Sequence, residues 1–101
     1  MEKKTREETI KRVEEMQQLY EQVLRDKKEL GALFSKLQKA DKNLQALSDY
    51  YSSDWMTDQE NVKENYPVLG QDAVWEELVS RQVLYAKILK FCTNALIRQT
   101  T

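Results

Sequence analysis

A column of large apolar residues recurs at every seventh position, Met16, Val23, Leu30, Leu37, Leu44 and Tyr51, and no proline interrupts the chain between Thr5 and Ser48. A strict seven-residue repeat holds one seam of a helix against a partner helix, as in coiled coils and bundles. Ile10, Val13, Leu19, Tyr20, Leu24, Leu33, Phe34 and Leu47 widen the seam into a stripe at helical spacing. The pattern predicts one long amphipathic helix over about residues 4–49. Gly31 stands inside it, where glycine costs ~1 kcal/mol relative to alanine. The column keeps its phase through that position, so the helix is expected to continue, with Gly31 tolerated where another backbone comes close.

Two charges, Lys27 and Asp41, interrupt the neighbouring column that holds Tyr20 and Phe34. Either both lie at the edge of the stripe with their heads in water, or they set helix register against a partner. On the outer face, Glu precedes a base by four residues at Glu2/Arg6, Glu7/Lys11, Glu8/Arg12 and Glu21/Arg25. That order supports a solvated helix.

A second helix is predicted over about residues 71–98. Pro67 and Gly70 mark its approach, and Asp72, Glu76 and Glu77 favour the positive end of its dipole. Its later half, "VLYAKILKFCTNALI", is apolar on more than one stripe, so cover on two sides is expected, with Cys92 a small buried hydrophobe. Between the helices lies a connector, residues 50–70. Thr57 and Glu60 have capping-box spacing, which suggests a short third helix near 58–65, ended by Pro67. The expectation is a single all-α domain, residues 1–101, built as an antiparallel helical hairpin, with a bent first helix in a compact three-helix bundle as the alternative.

Composition narrows the functions. With two glycines, one proline and 33% charged residues the chain suits helices better than turn-rich β structure. A net charge of −1 removes the broad attraction that nonspecific nucleic-acid binders use. There is no histidine, so Cys/His and Ser/His nucleophile pairs are absent. No phosphate loop, zinc motif or paired-carboxylate motif is present, and Asp54, Asp58, Glu60 and Glu64 do not follow the spacing of a calcium loop. No enzyme activity, metal or cofactor is expected. The lone Cys92 fits a reducing compartment. The opening "MEKKTREETIKR" lacks the apolar core of a signal peptide, and Lys87 and Lys90 break the longest apolar run, Val83 to Ile97, which is short of the ~20 residues that span a bilayer. A cytoplasmic protein that binds neither membrane nor nucleic acid is expected.

Charge is uneven along the chain. Residues 1–48 hold eleven basic and nine acidic groups, residues 49–77 one and eight, and residues 78–101 four and none. The acidic middle either lies against the basic final helix or receives a basic partner. At 1.5 Å per residue the first helix would be about 65 Å long and the second about 40 Å. A second helix folded back covers the first only to around residue 22. Ile10, Val13, Met16, Leu19 and Tyr20 would then face water, and such a stripe marks an interface. A self-associating protein-interaction module, most simply a symmetric homodimer, is the leading expectation. A neutralising partner for a basic protein surface is the alternative.

The stretch "YYSSDW", Tyr50 to Trp55, gathers three aromatics around two serines and an aspartate. It reads as a structured corner, with Tyr51 inward, Ser52, Ser53 or Asp54 capping the next turn, and Trp55 and Trp75 wedged between the helices. The competing reading is a recognition corner of Tyr50, Tyr51, Asp54, Trp55 and Asp58. "YYSSDWMTD" followed by "PVLGQDAVWEELV" resembles a family of short helical proteins of Gram-positive bacteria, a domain of unknown function. That family pairs a heptad-like first helix with a Tyr-Tyr-x-Ser-x-x-Trp-like turn and a Pro-Val-Leu…Asp-Ala-like start to the last helix. Tyr50, Tyr51, Ser53, Trp55 and Asp58 match the turn, and Pro67, Val68, Leu69, Asp72, Ala73 and Trp75 the helix start. Gly70 departs from the family's capping serine, and the linker is shorter. The resemblance implies the helical hairpin and no activity.

Overall fold

The structure, a computed structural model, describes the backbone of residues 2–100 and the side chains of residues 5–100. It contains α1 (Glu2–Ser52), α2 (Trp55–Asn61), a 3-10 turn (Pro67–Leu69) and α3 (Ala73–Thr100). Among the described residues there is no strand. The Glu2 side chain of the Glu2/Arg6 pair lies outside the described residues.

The helix α1 runs through Gly31 without a break. A Cβ at Gly31 would meet nothing within 4 Å, so the close backbone expected there is not found among the described residues. The helix also outlasts its expected end, because nothing before Ser53 competes with helical hydrogen bonding. Tyr50 and Tyr51 therefore sit on α1 and not in the connector. Closure comes from Ser53, whose backbone N–H donates to Tyr50 O at 3.1 Å and whose Oγ donates to Asp49 O at 2.7 Å. Those bonds satisfy carbonyls that a helix end leaves orphaned. Ser53 thus closes the helix behind it, where a cap for the helix ahead was expected.

The short helix α2 begins three residues before its expected start. Thr57 lies inside its first turn, and the cap residue Asp54 makes no side-chain cap bond, so the capping box does not form. The backbone N–H of Asp58 donates instead to Asp54 O at 2.9 Å. The helix stops at Asn61, well before Pro67. That proline opens the 3-10 turn, a position where its missing N–H costs nothing. At Gly70 a Cβ would stand 3.1 Å from Pro67 O, a tight approach that glycine relieves.

Two units follow one another, residues 1–40 and 41–101. The first is a helical segment whose large apolar residues are exposed from Ile10 to Phe34. Val23, Leu24, Leu30, Leu33 and Phe34 are exposed as well as the five residues expected to be bare.

The second unit contains the end of α1, then α2, the turn and α3. Trp55, 7% exposed, and Val74, 2% exposed, are the buried hydrophobic residues among those described. Leu44, Leu47, Tyr51, Val62, Leu69 and Leu78 are half-buried around them. The helix α3 returns antiparallel to the end of α1, bringing Tyr85 to Asp41. Its inner edge is Val74, Leu78, Arg81 and Tyr85, spaced for one neighbouring helix. One neighbour covers one edge, and three expectations fail for that reason. Leu89, Phe91, Leu96 and Ile97 are exposed rather than covered on two sides, Cys92 is exposed, and Trp75 is 55% exposed and wedges between nothing.

Candidate functional site

The first candidate is the stripe on α1. Ile10, Val13, Met16, Leu19 and Tyr20 lie on one side of the helix and are 46–59% exposed. Val23, Leu24, Leu30 and Phe34 continue the same stripe, a longer face than length arithmetic had indicated. Local charges leave it open: Gln22 donates to Asp26 Oδ1 and Arg25 donates to Gln22 Oε1, both at 2.8 Å. Arg25 thus bonds Gln22 where a pair with Glu21 was expected. Lys27, in the middle of the stripe, is exposed.

The second candidate is the corner. Tyr50 donates its hydroxyl to Asp58 Oδ2 at 2.7 Å, linking the end of α1 to α2. The hydrogen bond to Asp58, followed by desolvation and the nearby charges of Asp58 and Asp54, holds the Tyr50 phenol above its ordinary pKa of 10.0. Trp55 donates its indole Nε1–H to Val68 O at 2.8 Å, and the ring meets Tyr51 edge-on with centroids 5.1 Å apart. A buried indole usually finds such an acceptor. Of the five corner residues, Trp55 is buried, Tyr50, Tyr51 and Asp58 are half-buried, and Asp54 alone is exposed. The bonds tie α1, α2 and the turn together, which is the geometry of a joint.

The third feature was only half visible in sequence. Asp41, one of the two charges interrupting the stripe, accepts the Tyr85 hydroxyl at 2.7 Å. Arg81 lies over the Tyr85 ring, 5.8 Å from its centroid, and donates weakly to the same hydroxyl at 3.4 Å. Beside this cluster is an open cleft of about 300 Å³, lined by Leu44, Gln45 and Ser48 of α1 and Leu78 and Gln82 of α3. Tyr85 and Arg81 were not singled out from sequence. Their spacing from Val74 and Leu78 is the signal that places them on the inner edge of α3. Among the described residues no group of three or more acidic, cysteine or histidine side chains is arranged to hold a metal ion, and no helix is long and apolar enough to cross a membrane.

Fold and surfaces together define a small all-helical protein with a tied corner, a polar link between α1 and α3 and apolar helix faces left bare. The chain belongs to the family described as a domain of unknown function, DUF4298, whose model matches residues 13–91 and so takes in the stripe from Val13, the corner and most of α3. No curated protein and no solved structure matches the chain.

Proposed function

We propose that this protein works by binding protein, a further copy of itself included, through the bare stripe of α1, and that it is a cytoplasmic adaptor or small regulator without catalytic activity. The exposure of large apolar residues in register from Ile10 to Phe34 carries this reading, because monomeric soluble proteins rarely leave so continuous an apolar patch in water. The bare outer face of α3 supports it, as does a composition without histidine. Two differently tagged copies purified together test it. Val13→Lys with Tyr20→Lys should cut their association by about tenfold or more, since each buried charge in a seam costs more than 1.4 kcal/mol. Undiminished association of the variant would show that the stripe is not the binding face.

A second reading has its own support. Asp54, Glu60, Glu64, Asp72, Glu76 and Glu77 are all exposed, an acidic surface suited to neutralising a basic protein. Reversing Asp54, Glu60 and Glu64 to lysine should then abolish capture of a basic partner while circular dichroism stays unchanged. Asp58 is left alone in that test because it holds Tyr50.

A further inference from the structure

We infer that the occupant of the α1 stripe is the same stripe of a second copy, running antiparallel, with the two-fold axis between Val23 and Leu24. This rests on the proposal that the stripe is a protein-binding face, and it fixes what binds there and in which register.

The column that contains Val13, Tyr20, Lys27 and Phe34 continues to Asp41, where Tyr85 of the same chain already sits at 2.7 Å. From Asp41 onward the seam is taken by α3, so a partner helix has only the part before it. Reversed about this axis, the bare part matches itself along the column of Lys27, while Leu19, Leu30 and Leu33 lie against Lys28, Gln17 and Glu14. Ile10 then faces Leu37 of the second copy, Val13 faces Phe34, Met16 faces Gly31, and Tyr20 faces Lys27. Isologous pairing requires each of these contacts to occur twice. The open space at Gly31, unexplained within one chain, receives the Met16 side chain. Lys27, the one charge in the seam, lies on the Tyr20 ring, a favourable cation–π placement.

Other occupants fare worse. Sliding the copies by one heptad so that Ile10 faces Leu44 sets Lys27 against Lys27 and requires Asp41 and Leu44, which belong to the contact with α3; a parallel in-register pair also sets Lys27 against Lys27. Sliding the other way sets Lys27 against Val13 and Phe34 against Arg6. The bare face of α3 is a poor partner by charge: residues 78–101 carry four basic and no acidic groups, whereas residues 10–37 carry six basic and five acidic. Glu21 and Asp26 approach each other at the rim of the antiparallel pair. Asp26 is already bonded by Gln22, and water screens both. The pairing covers large apolar side chains between Ile10 and Phe34 that are 46–62% exposed in the single chain.

Cross-linking at rim positions leaves the seam intact. In a Cys92→Ser background, Arg12→Cys and Ser35→Cys face one another across this interface but not their own equivalents. With a short bis-maleimide, a mixture of the two variants should yield about tenfold or more cross-linked pair than either alone, as expected when binding raises effective concentration. Cross-linking of Ser35→Cys with itself at equal efficiency would overturn the antiparallel register. Sedimentation of the unmodified chain separates the two levels: a dimer without the mixed cross-link sinks the register alone. A strict monomer sinks self-pairing and leaves a different protein as the stripe's occupant.

Discussion

The hydroxyl of Tyr85 on α3 donates to Asp41 Oδ1 on α1 at 2.7 Å, joining residues 44 positions apart in the chain. Asp41 interrupts the column that holds Tyr20 and Phe34, and the bond explains how a carboxylate is accommodated there. It also sets which turn of α3 lies beside which turn of α1, because apolar contacts alone can slide and a directional bond cannot.

Tyr85→Phe should destabilise the chain by about 1–2 kcal/mol, since a half-buried carboxylate loses its donor. Asp41→Ala should cost a similar amount, with a coupling of about 1 kcal/mol between the two in a double-mutant cycle read by urea unfolding. Additive effects would mean that the contact does not contribute to stability.

The two tryptophans should separate cleanly. Trp55→Phe keeps the bulk but loses the indole bond to Val68 O, at a cost of about 1–2 kcal/mol. It should also remove the blue-shifted part of the fluorescence. Trp75→Phe, at an exposed position, should change stability by less than about 0.5 kcal/mol and remove the red-shifted part. The reverse assignment of emission would contradict the buried place of Trp55.

Alkali should loosen the corner. The raised pKa of Tyr50 means that folding favours the protonated phenol. Its contribution is therefore complete below 10.0 and is lost as pH rises through the higher folded value. Phenolate absorbance should show the Tyr50 component titrating above 10.0, and Tyr50→Phe should abolish that component along with the associated alkaline loss of stability. Asp58→Asn should move the component back toward 10.0.

Cys92 is exposed on α3. In an isolated chain it should react with a thiol reagent as fast as in denaturant. Strong protection that disappears on dilution would show that a second copy covers α3, and would move the interface away from α1.

Much of this was legible in the sequence because helices announce themselves by period. The unbroken column from Met16 to Tyr51 carried the continuity of α1 through Gly31, and Pro67 with Gly70 carried the approach to α3. Boundaries were less legible. The T-x-x-E spacing at Thr57 looks like a cap, yet Trp55 is drawn into the core by Tyr51 and Val68 O, and α2 starts there. Apolar content in α3 could not tell burial within the chain from surface awaiting a partner, so Cys92 and Trp75 were placed inside. Asp41 was recognised as an interruption of the stripe, but its partner depended on how α3 returns, which no local spacing states.

The bare stripe of α1 is tested most directly by sedimentation equilibrium of the unmodified chain over a wide concentration range. The mass should rise from 12.0 kDa to twice that value, and Val13→Lys with Tyr20→Lys should hold it at the lower one. A chain that stays at 12.0 kDa at every concentration would contradict self-pairing through α1.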